Sequence, residues 1–261
     1  MMGKGQPNTL TLAEKLDLWE NLKILSFTKM VISLWAITVL SLYIRVQVNI
    51  LGRHMYVDTA RGLGSSHLLE EAELVDRNDE QKFLAFSDFL SNYGLNTLIP
   101  RMQIAVAEVL KSKQLRDVFD TTTLRETTVR IIKIFMSTGR PHHWLDYLMP
   151  EDNQSSIRGT LSTDDDATVT NINNAEFGNV IERSLEVGVN GLIEEMEGSV
   201  GGGGSSSTSG TPLARLVPRV SQMGPLLLED PRKTRFIQMI RGIPEVEIFF
   251  TLLYANTMPA S

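Results

Sequence analysis

The run from Lys15 to Arg45, KLDLWENLKILSFTKMVISLWAITVLSLYIR, limits what this chain can fold into more than any other stretch. Its apolar residues recur at helical spacing yet occupy most of the circumference, so a helix built from it has more than one face to hide. At about 100° per residue, Leu16, Ile24 and Phe27 fall on one side, while Leu18, Trp19, Leu22 and Leu25 spread over another, with Lys15 beside Trp19. The first side predicts packing into the chain's own core. The second requires another helix, from this chain or from a partner, and a Trp beside a Lys suits a surface that receives one.

The rest of the chain continues in helix-period segments separated by Gly, Pro and Ser/Asp clusters, with no convincing strand pattern. Thr11-Leu-Ala-Glu14 has capping-box spacing, and the first helix is expected to run from there to about Leu51, before Gly52, with a loop over Asp58 to Glu71. A second helix is expected over Asp79 to Tyr93, closed by Gly94 in a left-handed conformation. Met102, Ala105, Val106, Val109 and Leu110 place an amphipathic helix from about Asn96, with Pro100 tolerated in its first turn. Leu124, Thr128, Ile131, Ile132, Phe135 and Met136 place another over Thr122 to Thr138, stopped by Gly139 and Pro141. Phe177, Val180, Ile181, Leu185, Leu192, Ile193 and Met196 mark a helix from Asn174 to Glu197, in which Gly188 and Gly191 allow close approach of a neighbour. Helices from Lys233 to Arg241 and from Pro244 to Ala255 finish the chain, Pro244 suiting a first helical position and Phe249, Phe250 and Leu253 a core. Residues 151–173, acidic and polar, and 198–211, rich in Gly and Ser, are expected to be flexible connections within one all-helical domain spanning residues 1–261.

Composition then removes whole classes of function. With 42% hydrophobic residues in 261, the chain can bury a substantial core. A net charge of -6 without any Lys/Arg block argues against binding nucleic acid, and zero cysteines exclude disulfides, thiolate zinc sites and cysteine nucleophiles. The start lacks a secretory signal pattern. Met30 to Ile44 is apolar, but its 15 residues between Lys29 and Arg45 fall short of the roughly 20 that span a bilayer, which favours a buried core helix over a membrane protein spanning there. The C-terminal Pro-Ala-Ser is not a peroxisomal Ser-Lys-Leu address.

The catalytic candidates are weak. His142 and His143 with Asp146 lack metal-site spacing, and an enzyme would need a polar pocket around them. Gly62-Leu-Gly64-Ser-Ser66 lacks the Lys of a phosphate loop, no Gly-x-Ser-x-Gly elbow occurs, and Asp164 to Asp166 sit in low-complexity sequence. Asn153-Gln-Ser155 matches a glycosylation sequon with no secretory context. No cofactor or metal is expected.

Longer blocks are more specific. KLDLWENLKILSFTKM, running on through LSLYIRVQVNILGRHMYVDTARGLGSSHLL, resembles the soluble region of the peroxin-3 (peroxisomal biogenesis factor 3) family, above all its plant members. DEQKFLAFSDFL, FMSTGRPHHWLDYLMP, PLARLVP and IPEVEIFFTLLYAN follow in the family's order. The resemblance implies a non-enzymatic, elongated all-α bundle around a long central helix, on the cytosolic face of the peroxisomal membrane and in contact with its surface. It further implies docking of peroxin-19, the soluble chaperone that brings newly made peroxisomal membrane proteins as cargo, by helix-in-groove binding. The family's groove carries a Trp in a Lys-Leu-x-x-Trp-x-x-Leu segment, matched here by Lys15, Leu16, Trp19 and Leu22, and a basic residue in a Pro-Leu-Ala-Lys segment, matched by Pro212 and, with the charge kept, by Arg215.

Two departures from the family pattern are expected to matter. The family's N-terminal membrane anchor has no counterpart in this sequence, which would leave the chain cytosolic or make it a truncated, non-functional isoform. A helical segment before NNAEFGNVIERSL is also missing, and the surface it covered is expected to lower stability.

Overall fold

The computed structural model of the chain describes residues 11–62, 88–139, 143–148, 167–198, 210–228 and 235–256. Among these, the helices are α1 (Leu12–Gly62), α2 (Leu95–Leu110), α3 (Thr121–Ser137), α4 (Ala167–Gly198), α5 (Leu213–Leu228), α6 (Arg235–Arg241) and α7 (Pro244–Asn256). Among the described residues, a two-residue antiparallel ladder, β1 (Val118–Phe119) against β2 (Thr211–Pro212), is the one feature outside the helical pattern expected from sequence. The protein is therefore an all-α bundle, built around α1, whose 51 residues extend about 76 Å.

The start of α1 follows from its capping box. The Thr11 amide donates to Glu14 Oε2 at 2.7 Å, and the Glu14 amide donates back to Thr11 Oγ1 at 3.3 Å. Its end lies beyond the expected Leu51: the helix passes through Gly52 and takes in residues 58–62 of the anticipated loop. A lone interior Gly costs about 1 kcal/mol against Ala, too little to stop a helix that continues on either side of it.

From Phe27 to Tyr43, α1 is buried around nearly its whole circumference, with Phe27, Met30, Val31, Leu34, Trp35, Val39 and Leu42 in the core. Length and composition alone would let a segment of this helix cross a bilayer, contrary to the 15-residue count, but 67% of that apolar window is buried against the rest of the bundle. Burial by neighbouring helices is the behaviour of a core helix. Trp35 meets Phe135 and Tyr147 edge to face, at 6.0 and 5.9 Å between ring centroids.

Two seams fix what lies beside α1. Gly188 of α4 sits where an added Cβ would come within 2.8 Å of Leu34 Cδ1, and Gly191 meets Met239 of α6 in the same way, so both glycines serve the close approach expected of them. The longest seam is with α5, where Gly224 packs on Lys29 and Ser33. Arg45 joins α1 to α7 through both oxygens of Glu247, at 2.8 and 2.9 Å, and lies 4.4 Å over the Phe250 ring.

Several boundaries differ from expectation. Gly94 is right-handed, with φ -60°, and the chain runs through a π-helical turn (Leu90–Gly94) straight into α2 rather than leaving the helix. α4 starts at Ala167, so residues 167–173, expected in the 151–173 loop, form its first turns. Thr and Asn are only mildly unfavourable in a helix, and the packed Phe177 region propagates backward through them. Gly198 closes α4 and Thr211 lies in β2, which trims the expected 198–211 linker at both ends. α3 begins at its Asp120 cap, whose Oδ1 accepts from the Thr123 amide at 2.7 Å, and Gly139 ends it with φ 115°. Residues 63–66, 79–87, 151–166 and 199–209, and with them His142, the sequon and the expected loop cores, lie outside the described residues, as does the Leu253 side chain.

Both capping carboxylates sit below their ordinary range. The Thr11 backbone amide and then its hydroxyl hold Glu14 down, and the Thr123 hydroxyl and then its amide hold Asp120 down. A depressed folded-state pKa contributes stability that is complete above the unfolded-state value and is lost as pH falls through the folded one. The amide proton of Thr123 should therefore shift as pH drops below about 4, with a midpoint under that of a free Asp, and Asp120→Asn should flatten the titration in an NMR series.

Candidate docking surface

Leu12, Leu16, Trp19, Lys23, Ser26 and Met30 follow one another along α1 at alternating intervals of four and three, the spacing that keeps side chains on one seam of a helix. From Lys23 onward this seam faces the core. Before it, the same seam runs past the end of the bundle and is open, with Leu12 87% exposed, Leu16 57% and Trp19 41%. Leu16 therefore does not pack with Ile24 and Phe27 as the helical wheel predicted, because the bundle stops before it. A second row, Leu18, Leu22 and Leu25, is exposed along the outer side of the same turns.

Lys23 marks the boundary. It is 2% exposed, and its Nζ donates to the carbonyl of Lys113 at 2.7 Å and, more weakly, to that of Leu110 at 3.5 Å, while Glu20 Oε2 approaches at 2.5 Å. Leu110 ends α2, so the ammonium sits at the negative end of that helix dipole. The loop that follows, residues 111–117, is tied to the start of α5: the Leu213 amide donates to the Asp117 carbonyl and that of Ala214 to the Leu115 carbonyl, both at 2.9 Å, beside the Val118 to Pro212 pairing.

These links show how Arg215 stands relative to Trp19. With its N-terminus strapped to the Lys23 loop and Gly224 on Lys29 and Ser33, α5 runs in the same direction as α1. Nine residues separate Arg215 from Gly224, about 13 Å of helix, which brings Arg215 level with Leu22. Lys15, Leu16, Trp19, Leu22 and Arg215 are all exposed and Pro212 is half-buried, so the structure gathers the six candidates at one end of the bundle. Lys111 and Arg116 of that loop and Val118 of β1 are exposed at that end, and together with Leu12 and Lys23 they were not among the candidates. The heptad interval through Leu12 and the lone Lys in an apolar seam were the available signals for two of them.

No such opening surrounds His143. It is a core residue, its ring against Phe135 at 5.3 Å and Tyr147 at 5.9 Å between centroids. Burial raises the Tyr147 phenol, against the pull of Arg101, which donates to its hydroxyl at 3.1 Å. A cleft of about 250 Å³ lies elsewhere, between α3 and α4, floored by Ile132, Leu185 and Val189. Among the described residues no group of three or more His, Asp and Glu side chains is placed to hold a metal.

Fold and surface define an all-helical bundle that offers an apolar helix end to solvent. Residues 4–256 match the Peroxin-3 family model. Peroxisome biogenesis protein 3-1 of Arabidopsis thaliana is 53% identical over 265 residues, covering 97% of this chain and 71% of that protein, and protein 3-2 of the same plant is 52% identical. Human peroxisomal biogenesis factor 3 is 26% identical over 93% of this chain and 71% of its own length. The chain belongs to the Peroxin-3 family, on the plant side of it. Its role accordingly lies in peroxisome biogenesis, in association with the peroxisomal membrane, and it is not an enzyme.

Proposed function

We propose that this end of the bundle is a docking seat for an amphipathic helix, and that its occupant is the N-terminal helix of peroxin-19, carrying peroxisomal membrane proteins to the cytosolic face of the membrane for insertion. The observation that carries the reading is the open heptad seam Leu12, Leu16, Trp19, which continues a core seam with nothing of the described chain covering it. A visiting helix extends the bundle by one member: its apolar side chains take the place of core against Trp19 and Leu22, and its acidic groups meet Lys15 and Arg215 at the rim. Residues 1–261 then act as one domain, whose helical bundle holds the seat.

Fluorescence offers a direct test, because of the three tryptophans Trp35 and Trp144 are buried and Trp19 is exposed. Titrating the peroxin-19 N-terminal peptide should blue-shift the Trp19 emission saturably; a spectrum that never changes removes the assignment. Arg215→Glu should weaken binding by about 1 kcal/mol at low salt, mostly through slower association, and the difference should shrink as ionic strength rises. Stopped-flow rates at two salt concentrations measure this.

A further inference from the structure

We propose that Lys23 is a positioning residue for the docking seat: a buried latch that ties the turn of α1 next to Trp19 to the loop after α2 and holds the Arg215 end of α5 beside it. The proposal rests on the docking reading above. An ammonium has three donors, and the structure supplies three acceptors, the Leu110 and Lys113 carbonyls and the Glu20 carboxylate. Lys23 also interrupts the seam at the point where it passes from open to buried. A buried cation with three fixed acceptors ties this turn of α1 to the end of α2 and its loop, which an apolar side chain could not do.

The latch reaches both halves of the seat. Four residues before Lys23 lies Trp19. On the other side, the Lys113 carbonyl begins the short loop whose Leu115 and Asp117 carbonyls bind the Ala214 and Leu213 amides, next to Arg215. Removing the ammonium therefore takes away the anchor of this loop on α1 and loosens the first turn of α5 with it, while Trp19 and Arg215 keep their own chemistry.

In the full chain, Lys23→Met retains the stem and discards the charge. Hydrogen exchange at the Leu213 and Ala214 amides should speed up by about tenfold or more, where a core truncation on α7, Val246→Ala, should change exchange without singling out these two amides. Peptide affinity should fall about fivefold to tenfold. Unchanged exchange at both amides, or faster exchange with undiminished affinity, overturns the proposal. Wild-type chain that fails to bind the peptide removes the docking reading instead, and the exchange result then decides the latch alone. Should Lys23→Met not fold, Glu20→Gln takes its place with a smaller expected change of about twofold at the same amides, and no change there refutes the latch.

Discussion

Trp19→Ala should weaken binding of the proposed peroxin-19 helix by on the order of 2 kcal/mol, about thirtyfold, and leave the melting temperature of the free chain within a degree or two of wild type. The two halves of this expectation have one cause. Trp19 is 41% exposed on a turn of α1 that no helix of the described chain covers, so its truncation opens no cavity in the unliganded protein. In the proposed complex the same ring would be central and dry, flanked along the seam by Leu16 and along the outer row by Leu22, and aromatic side chains in such positions dominate binding energy. Leu25→Ala, at the far end of the outer row, should cost less than half as much. Calorimetric titration of the peptide against both variants checks the ranking. Equal losses would mean that the seat is a diffuse apolar surface with no anchor, and a wild-type affinity for Trp19→Ala would place the partner elsewhere.

Much of this architecture was legible in the sequence because it rests on local rules. Thr11 and Glu14 cap α1 as their spacing requires, and the stripe from Met102 to Leu110 faces the core residue for residue. Termination was less legible, since stopping a helix depends on what else the chain touches. Gly52 carries the composition of a stop signal and is passed over, while residues 167–173 carry that of a loop and are drawn into α4. Helix propagation adds a bond for each residue fixed, so a modest local preference loses to a well-packed neighbour.

The exposed candidate surface was legible in part for a related reason. Periodicity showed that Lys15, Trp19 and Leu22 share a region that one core cannot consume, and the structure leaves all three exposed. It could not show where the bundle ends along α1, which is what leaves Leu12 and Leu16 open and makes Lys23 the last inward residue of the projecting seam. That boundary is set by the loop after α2 and by the ladder between Val118 and Pro212, contacts between segments far apart in sequence.

Gly94 is the sharpest case of a residue whose type was read correctly and whose reason was not, and it carries the largest expected effect on stability. A Gly after Tyr93 has the look of a left-handed helix exit. In the structure its φ and ψ are those of any helical residue, so Ala would fit the backbone and, at an ordinary helix position, would gain about 0.5–1 kcal/mol. The obstacle is contact. A Cβ at Gly94 would lie against the carbonyl oxygen of Tyr147, with the carbonyl carbon at 3.0 Å and Leu90 Cδ1 at 3.1 Å. Main chain cannot rotate away as a side-chain tip can, and the Tyr147 ring is itself held by Trp35 and Phe135. Gly94→Ala should therefore destabilise the protein by about 3 kcal/mol and lower its melting temperature by about 6–10 °C. Gly242→Ala is the control: its nearest atoms stand at 3.5 Å, and it should stay within about 0.5 kcal/mol of wild type. A thermal melt of Gly94→Ala at or above the wild-type midpoint would show that the π-helical turn and the Tyr147 carbonyl are not in contact, and with it that α2 joins the Trp35 core less closely than the structure has it.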